Sequence, residues 1–549
     1  MGRPVKGVGE AGRKVKWTGR RGMTQARCLI HDVLPAGTWY SNIFSKTMAP
    51  LILLSLLLIA PLGAYADLRQ GLIGSRIEAL FPGDSQYTES RQAFNQRFNV
   101  HPAAIVFPTS AQDVSQIVKI GAANKLRVVA RSGGHSYAAN GLGGQDGALV
   151  IDLKKMNKIT IDTNTNIAHV EAGNKLGSVA AALNAVGRAL PHGSCTYVGV
   201  GGHASFGGFG FTSRMWGLMT DTIRAANVVF ANGTLSRVSE SSHPDIFWAV
   251  RGAAPSIVIV TSFEFETFPE PNYAVIWGYG WDLSASDAAS ALKIFQNFSL
   301  TSDLPSHLTT DVNLGQGSQR GFVSFRVSGG WYSSSSDQAE NEKALNASLA
   351  PLLESLPPPT GVSREGNGTY IDTVIILANS DKGLDTSTPE GNDTFYAKSL
   401  MTPEAEPMND ETCLSFMTYL AEDGYDSGLG WFFQIGVYGG RNSKINALPA
   451  NATSFVRRDT LFTMQFYASS PGNIPPYPNE GFTFLDGVVN SITSGMPEAW
   501  DYSAYTNYLD NRLEDWPKLY FGSHYARLQR IKQEVDPRNV FKFPTSINS

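Results

Sequence analysis

The sequence predicts an α+β protein of two domains, and three observations carry that expectation. The chain has 549 residues, room for two or more domains of roughly 100–200 residues each. From about residue 99 to 268, short β-branched strand signals alternate with helical spacings around two glycine-rich stretches. After Pro269-Glu-Pro271 the texture changes, to about residue 495, into long apolar and aromatic strands separated by Ser, Pro and Gly loops. The expected division is 1–47, an N-terminal extension; 48–66, a signal peptide; 67–268 and 269–495, the two domains; and 496–549, a C-terminal segment returning to the first domain.

The first 47 residues hold nine Lys and Arg against two acids and do not match the rest. Met48 opens an apolar run that ends in the small-x-small triplet Ala64-Tyr65-Ala66, the pattern of a secretory signal peptide. The run is short for a membrane span, and Pro61 interrupts it. Translation is therefore expected to start at Met48, with 1–47 a wrongly extended gene model or an upstream extension, and the secreted chain to begin at Asp67. Losing nine basic and two acidic residues takes the net charge from −4 to −11. Six N-x-[ST] sequons, at Asn232, Asn297, Asn346, Asn367, Asn392 and Asn451, suit a secreted chain.

Beyond a polar helical lead-in, Ser110 stands as an N-cap before Val114, Ile117 and Val118 at helical spacing. Leu126–Ala130, Ala148–Leu153 and Ile167–Glu171 read as strands, and Leu176–Val186 as an Ala-rich helix. Thr222–Val229 and Thr234–Val238 flank Asn232-Gly233 as a hairpin. Asp245–Arg251 reads as a short helix feeding a strand over Ile257–Thr261. Pro351–Thr394, with Pro357-Pro-Pro359 and two sequons, suggests an exposed excursion, and 431–440 and 460–467 read as strands with alternating sides. The tail is a tyrosine-rich loop, a helix and a hydrophobic end.

Composition is that of a globular protein, 42% hydrophobic and 17% charged, and the pI of 6.2 argues against a nucleic-acid partner. No His/Asp/Glu cluster stands at a ligand spacing such as H-E-x-x-H, so no metal is expected. The two glycine stretches carry the chemistry. Arg131-Ser132-Gly133-Gly134-His135-Ser136-Tyr137 is one, and Gly193 to Gly210 the other, with six glycines between Gly199 and Gly210. Glycine lets a backbone approach a flat or charged ligand closely, and successive N–H groups cradle a pyrophosphate. Each stretch adds one coordinating or nucleophilic side chain, His135 and Cys195. Cys195 and Cys413 remain once Cys28 is removed, and an even pair in a secreted chain reads first as a disulfide; the glycine-rich setting of Cys195 points instead to cofactor chemistry.

Arg131-Ser-Gly-Gly-His135, the Cys195 loop, Asp245-Ile-Phe-Trp-Ala-Val-Arg-Gly252, Tyr505-x-Asn507-Tyr508-x-Asp510 and Asp536-Pro-x-Asn-Val-Phe541 resemble the berberine bridge enzyme-like branch of the vanillyl-alcohol oxidase flavoproteins. The resemblance runs from about residue 80 to the C-terminus. His135-Ser-Tyr137 and the Cys195 segment look most like the fungal glucooligosaccharide and chito-oligosaccharide oxidases. It implies a two-domain PCMH-type FAD-binding fold, with a substrate domain built on a large antiparallel sheet backed by helices. It implies FAD bonded through His135 to the 8α-methyl carbon and through Cys195 to ring carbon 6. Around the cofactor it places Arg131, Ser132, Gly133, Gly134, Ser136, Val198, Gly199, Gly201, Gly202, His203, Gly207, Gly208, Gly210, Asn507 and Tyr508. Tyr508 would be the catalytic base and Tyr505 the second choice, while Tyr137, Gln434 and Gln465 would meet substrate. A free tyrosine titrates near ~10, so the site must lower that value or spread the proton over a network.

The function implied is that of a secreted, monomeric oxidase. It would move hydride from the anomeric carbon of a mono- or oligosaccharide to flavin N5, giving a lactone and, with molecular oxygen as acceptor, hydrogen peroxide. Val198 stands where oxygen-using members carry a small valine. Two positions depart from the family pattern. Gly436 replaces an aspartate that assists the base, and Gly252-Ala-Ala-Pro255-Ser-Ile-Val258-Ile-Val260 replaces a more glycine-rich loop, implying a stiffer or shifted segment beside FAD. They leave room for an oxidoreductase of a fungal secondary metabolite, an alkaloid or polyketide. A third reading is a non-catalytic, secreted glycan-binding protein. Protein recovered from the medium is expected to begin at Asp67 on N-terminal sequencing, and a start upstream of it would contradict the processing proposed.

Overall fold

The computed structural model describes residues 62–301 and 303–549. The extension 1–47 and the expected signal peptide up to residue 61 lie outside the described residues. The chain first builds two small sheets. Glu78–Leu80, Ala104–Phe107, Leu149–Asp152 and Val128–Arg131 pair in that order, the last three in parallel. Helix Ala111–Ala123 joins two of these strands, and Ser110 caps it as its sequence predicts: the Ser110 hydroxyl accepts from Asp113 N–H while the Asp113 carboxylate accepts from Ser110 N–H. The second sheet is antiparallel, in the order Ile159–Asp162, Ile167–Glu171, Ile259–Glu266, Ile223–Val229, Leu235–Ser239. The last two strands are the hairpin expected around Asn232-Gly233. One hydrophobic core, with Val106, Ile151, Val228, Phe247 and Phe263, is shared by both sheets.

Helix Pro244–Ile257 is longer than the short helix expected and is broken at Arg251–Ala253, where Gly252 takes φ +149°. Pro255 therefore sits in a fresh helical turn, and the segment runs straight into strand Ile259–Glu266.

A seven-stranded antiparallel sheet follows, in the order Gly361–Gly368, Tyr273–Ser284, Phe322–Ser333, Leu308–Gln316, Gly430–Val437, Thr460–Ser469, Phe395–Pro403. Helices Ala285–Thr301, Asp410–Tyr419 and Asn479–Thr493 back it, around a second core that includes Phe295, Phe416, Phe466 and Phe484. Thr460–Ser469 does not alternate between core and solvent; all ten residues are buried. One face, with Phe462, Met464 and Phe466, packs into that core, and the other, with Gln465 and Tyr467, closes a cavity against the first half of the chain. The segment 351–394 is also more ordered than an exposed excursion, since it supplies the edge strand Gly361–Gly368 and helix Tyr370–Ala378, whose Tyr370 is buried against Tyr332. The helices and sheets bear out the α+β class.

The C-terminal helix Tyr525–Val535 returns to pack on helix Pro244–Ile257. Its anchor is Lys532, fully buried with Asp536 at 2.6 Å. Lys532 also donates to the Ser256 and Phe541 carbonyls, and Asp536 accepts from Val540 and Phe541 N–H. The Asp536–Phe541 motif is thus a buried knot that holds Phe541 at the cavity wall. Removing one partner of such a pair leaves the other charge unpaired in the core, so D536A is expected to destabilise this segment by about 3–5 kcal/mol, read as protease cleavage at lower denaturant. The apolar pair K532M/D536L is expected to cost much less, and equal losses would contradict this reading of the knot.

Candidate active site

Strand Val128–Arg131 runs directly into Ser132-Gly133-Gly134-His135. The Cys195 loop enters the short helix Val200–Ser205 through Gly199. The two stretches touch backbone to backbone: a β-carbon on Gly199 would stand 2.0 Å from Gly133 N, and one on Gly133 2.5 Å from Gly199 N. No other residue type allows that approach. Ser132 fastens the contact, its hydroxyl accepting from Gly201 N–H at 3.2 Å and donating to the Ala172 carbonyl.

The joined loops form one wall of a cavity. Arg131, Ser132, Gly133, Gly134, His135, Ser136, Tyr137, Cys195, Val198, Gly199, Gly201, Gly202 and His203 line it, together with Gln434, Gln465, Tyr505, Asn507 and Tyr508. Ala254, Pro255, Val258 and Val260, from the segment that departs from the family pattern, form an apolar part of the wall. Arg131 contributes little side-chain charge to the space, since its guanidinium is held by the Asp152 carboxylate and the Ser90 carbonyl. His203 is an acceptor for Gly193 N–H at 3.0 Å; burial, with His192 beside it, holds its pKa down to about 3, so the ring is neutral.

Gly207, Gly208 and Gly210 do not line the cavity. They pack behind it, where β-carbons would strike the Tyr505 ring, Met219 and the His192 carbonyl respectively. Their small size serves loop packing rather than ligand contact. Cys195 and Cys413 form no disulfide with one another, because Cys413 is buried in the second core.

His135 and Cys195 meet a third residue that sequence reading missed. The Glu390 carboxylate lies 3.1 Å from His135 Nε2 and 3.7 Å from Cys195 Sγ, and Sγ lies 3.7 Å from Nε2. Burial opposes charge on the imidazole, but Glu390 and Cys195 outweigh it and raise its pKa to about 10. The three donor atoms lie within 4.8 Å of one another, close enough to share a metal ion, although their sequence spacing has no metal-site pattern. No local pattern marks Glu390, which lies 195 positions from Cys195.

The tyrosines sit opposite. The Tyr505 hydroxyl oxygen accepts from Gly208 N–H at 3.0 Å, Phe209 N–H at 2.9 Å and the Asn507 amide at 3.1 Å. This ring pins the glycine loop to the C-terminal segment. Tyr508 lies edge-on to Tyr505 at 5.0 Å and stacks parallel to Tyr137 at 6.3 Å. Burial, with Tyr137, Tyr505 and Asp311 adding to it, pushes the Tyr508 phenol well above its ordinary range. Of the two routes expected for a tyrosine base, the chain's own residues thus disfavour a lowered pKa.

Of the substrate-side residues, Gln434 and Gln465 lie on neighbouring strands and Tyr137 on the first glycine stretch. Gln465 donates to the Tyr137 hydroxyl at 2.7 Å, and Gln434 donates to Asp311 at 2.6 Å. Strand register sets Asp311 directly across from Gly436 and Asn313 directly across from Gln434. A side chain at 436 would meet the Phe209 ring at 3.0 Å. The carboxylate absent at 436 thus has a buried neighbour one strand over, held by Ser328 and Asn313 as well as Gln434. Burial raises the Asp311 pKa against the pull of those hydrogen bonds.

Family models described as "FAD binding domain" and "Berberine and berberine like" match residues 102–239 and 504–548. The xylooligosaccharide oxidase of Thermothelomyces thermophilus is 34% identical over 499 residues, 89% of this chain and 95% of that protein. A solved chitooligosaccharide oxidase is similar with a TM-score of 0.80 and 30% identity, over 88% of this chain and 99% of its own. The glucooligosaccharide oxidase of Acremonium strictum, with a 6-S-cysteinyl, 8α-N1-histidyl FAD, gives 0.79 and 29% over 88% and 99%.

The residues fit FAD. The cavity combines a glycine-backbone wall, an apolar wall and, in the Asn140 Oδ1 atom, a buried acceptor with no partner among the described residues. G199A is expected to force the two loops apart and give protein of low flavin content, measured as the ratio of flavin to protein absorbance. A wild-type ratio would contradict the contact described here.

Proposed function

The chain belongs to the berberine bridge enzyme-like FAD oxidoreductases, and from that premise we propose that it oxidises the anomeric carbon of a mono- or oligosaccharide to a lactone. The observation that carries this reading is that Gln434 and Gln465 face the glycine loops across one cavity, and Gln465 bonds the Tyr137 hydroxyl that the first loop presents. Tyr467, between Phe395 at 4.3 Å and Phe432 at 5.0 Å, adds aromatic surface beside it. Apolar ring faces with a few placed amides suit a pyranose, which is apolar on its faces and hydroxylated at its rim.

FAD would be held by the two loops and bonded to His135 and Cys195; when bound it supplies the hydride acceptor and passes two electrons to oxygen, giving hydrogen peroxide. Tyr508 takes the proton of the sugar hydroxyl. Its phenol is largely protonated at neutral pH, so the base form is a minor fraction that grows with pH. Asp311 accepts from the Gln434 amide and so orients Gln434 for the sugar. Tyr505, saturated by three N–H donors, positions the ring of Tyr508. Val198 at the cavity wall leaves room for oxygen. We place the protein outside the cell as a monomer: the signal-like run and the exposure of five of the six sequon asparagines support secretion. No helix among the described residues is long and apolar enough to cross a membrane.

Gly436 favours a second reading, a secondary-metabolite alcohol as donor, and anaerobic titration separates the two. Xylo-, cello-, malto- or chito-oligosaccharide is expected to bleach the flavin band; a flavin-loaded protein that no sugar bleaches would overturn the sugar reading. The reduction rate is expected to rise by up to about tenfold per pH unit between about pH 6 and 9, because a raised Tyr508 pKa leaves little base at neutral pH. Y508F is expected to lose about 10²–10⁴ in that rate with flavin retained. A flat pH profile with a fully active Y508F would contradict the role of Tyr508.

A further inference from the structure

We propose that Glu390 is the proton acceptor for the covalent attachment of FAD to His135 and Cys195. The proposal rests on the covalent reading above. Glu390 reaches this place on a strap that crosses from the seven-stranded sheet to the glycine loops. Lys175 donates to the Thr386 carbonyl at 3.3 Å, and Gln96 N–H donates to the Asp393 carbonyl at 2.7 Å. The Asp393 carboxylate is fixed by the Tyr467 and Ser469 hydroxyls, both at 2.7 Å. Between these pins the Glu390 side chain is 10% exposed and the His135 side chain 14%. Phe94 stacks on the His135 ring at 3.8 Å and holds its plane.

One carboxylate oxygen faces each nucleophile: Oε2 meets His135 Nε2 and Oε1 meets Cys195 Sγ. Beside Glu390 the ring rests as an imidazolium; it becomes a nucleophile when Nδ1 gives its proton to solvent, and the Nε2–H bond to Glu390 then fixes the tautomer whose lone pair lies on Nδ1. When Nδ1 bonds the flavin methyl carbon the imidazole would be left cationic, and Glu390 takes the Nε2 proton. At Cys195 the same carboxylate takes the thiol proton, since the thiolate is the nucleophile. Each attachment removes one hydrogen from the flavin carbon and one from the side chain. Molecular oxygen takes both with two electrons, forming one hydrogen peroxide per bond. A single carboxylate thus serves both bonds.

The test uses the full secreted chain and reads the fraction of flavin that stays with the protein after denaturation, by gel fluorescence and intact mass. C195S and H135A isolate the two bonds. In each background E390Q is expected to lower the covalent fraction by about tenfold or more while flavin bound before denaturation stays within about twofold. E390D, which restores the carboxylate, is expected to recover most of the covalent fraction. E390Q with the wild-type covalent fraction in both backgrounds would overturn the proposal. If E390Q holds no flavin at all, E390D decides: recovery supports the proposal and continued absence of covalent flavin overturns it. A wild-type protein that releases all its flavin would overturn the covalent reading itself, and this role of Glu390 with it.

Discussion

Two glycines in backbone contact set the geometry of the site. With a β-carbon on either Gly133 or Gly199, the two loops could not meet, and His135 and Cys195 would belong to separate surfaces. The contact costs conformational entropy, because each glycine has more freedom to lose than any other residue. It is held by Ser132 on one side and by the Tyr505 hydroxyl on the other, which takes two loop N–H groups from behind. Gly207, Gly208 and Gly210, further along the loop, are packing devices: they let Tyr505, Met219 and the His192 carbonyl press close.

The opposite wall depends on strand register. A one-residue slip in an antiparallel pair would turn every side chain to the other face. Register sets Asp311 against Gly436 and Gln434 against Gln465, so the polar residues from three strands converge on the tyrosines. The departure at Gly436 is local: Phe209 occupies the space a side chain would need, and a carboxylate remains on the adjacent strand. The altered 252–260 segment likewise still forms cavity wall, because its kink at Gly252 returns the chain to strand Ile259–Glu266.

Much of this was legible in the sequence because the signals were local. The Ser110 cap, the hairpin at Asn232-Gly233 and the two glycine stretches each declare themselves within a dozen residues. The residues that escaped reading act across the fold. Glu390 sits in a polar stretch with no motif, and its meaning comes only from the strap that carries it to His135. Asp311 looks like an ordinary strand aspartate until its partner strand is known. The burial of Thr460–Ser469 on both faces could not be read as such, since an all-apolar strand and an alternating one differ only in what covers the second face. Gly207, Gly208 and Gly210 were indistinguishable from ligand-contacting glycines for the same reason.

Everything in the site follows from the two glycine loops closing together on a single flavin. Proteolysis of denatured wild-type protein, followed by mass spectrometry of the flavin-bearing fragments, addresses it most directly. The expected result is one flavin-bearing species that joins the peptide containing His135 to the peptide containing Cys195. Flavin found on a peptide from outside the two loops, or leaving entirely with the solvent, would contradict it.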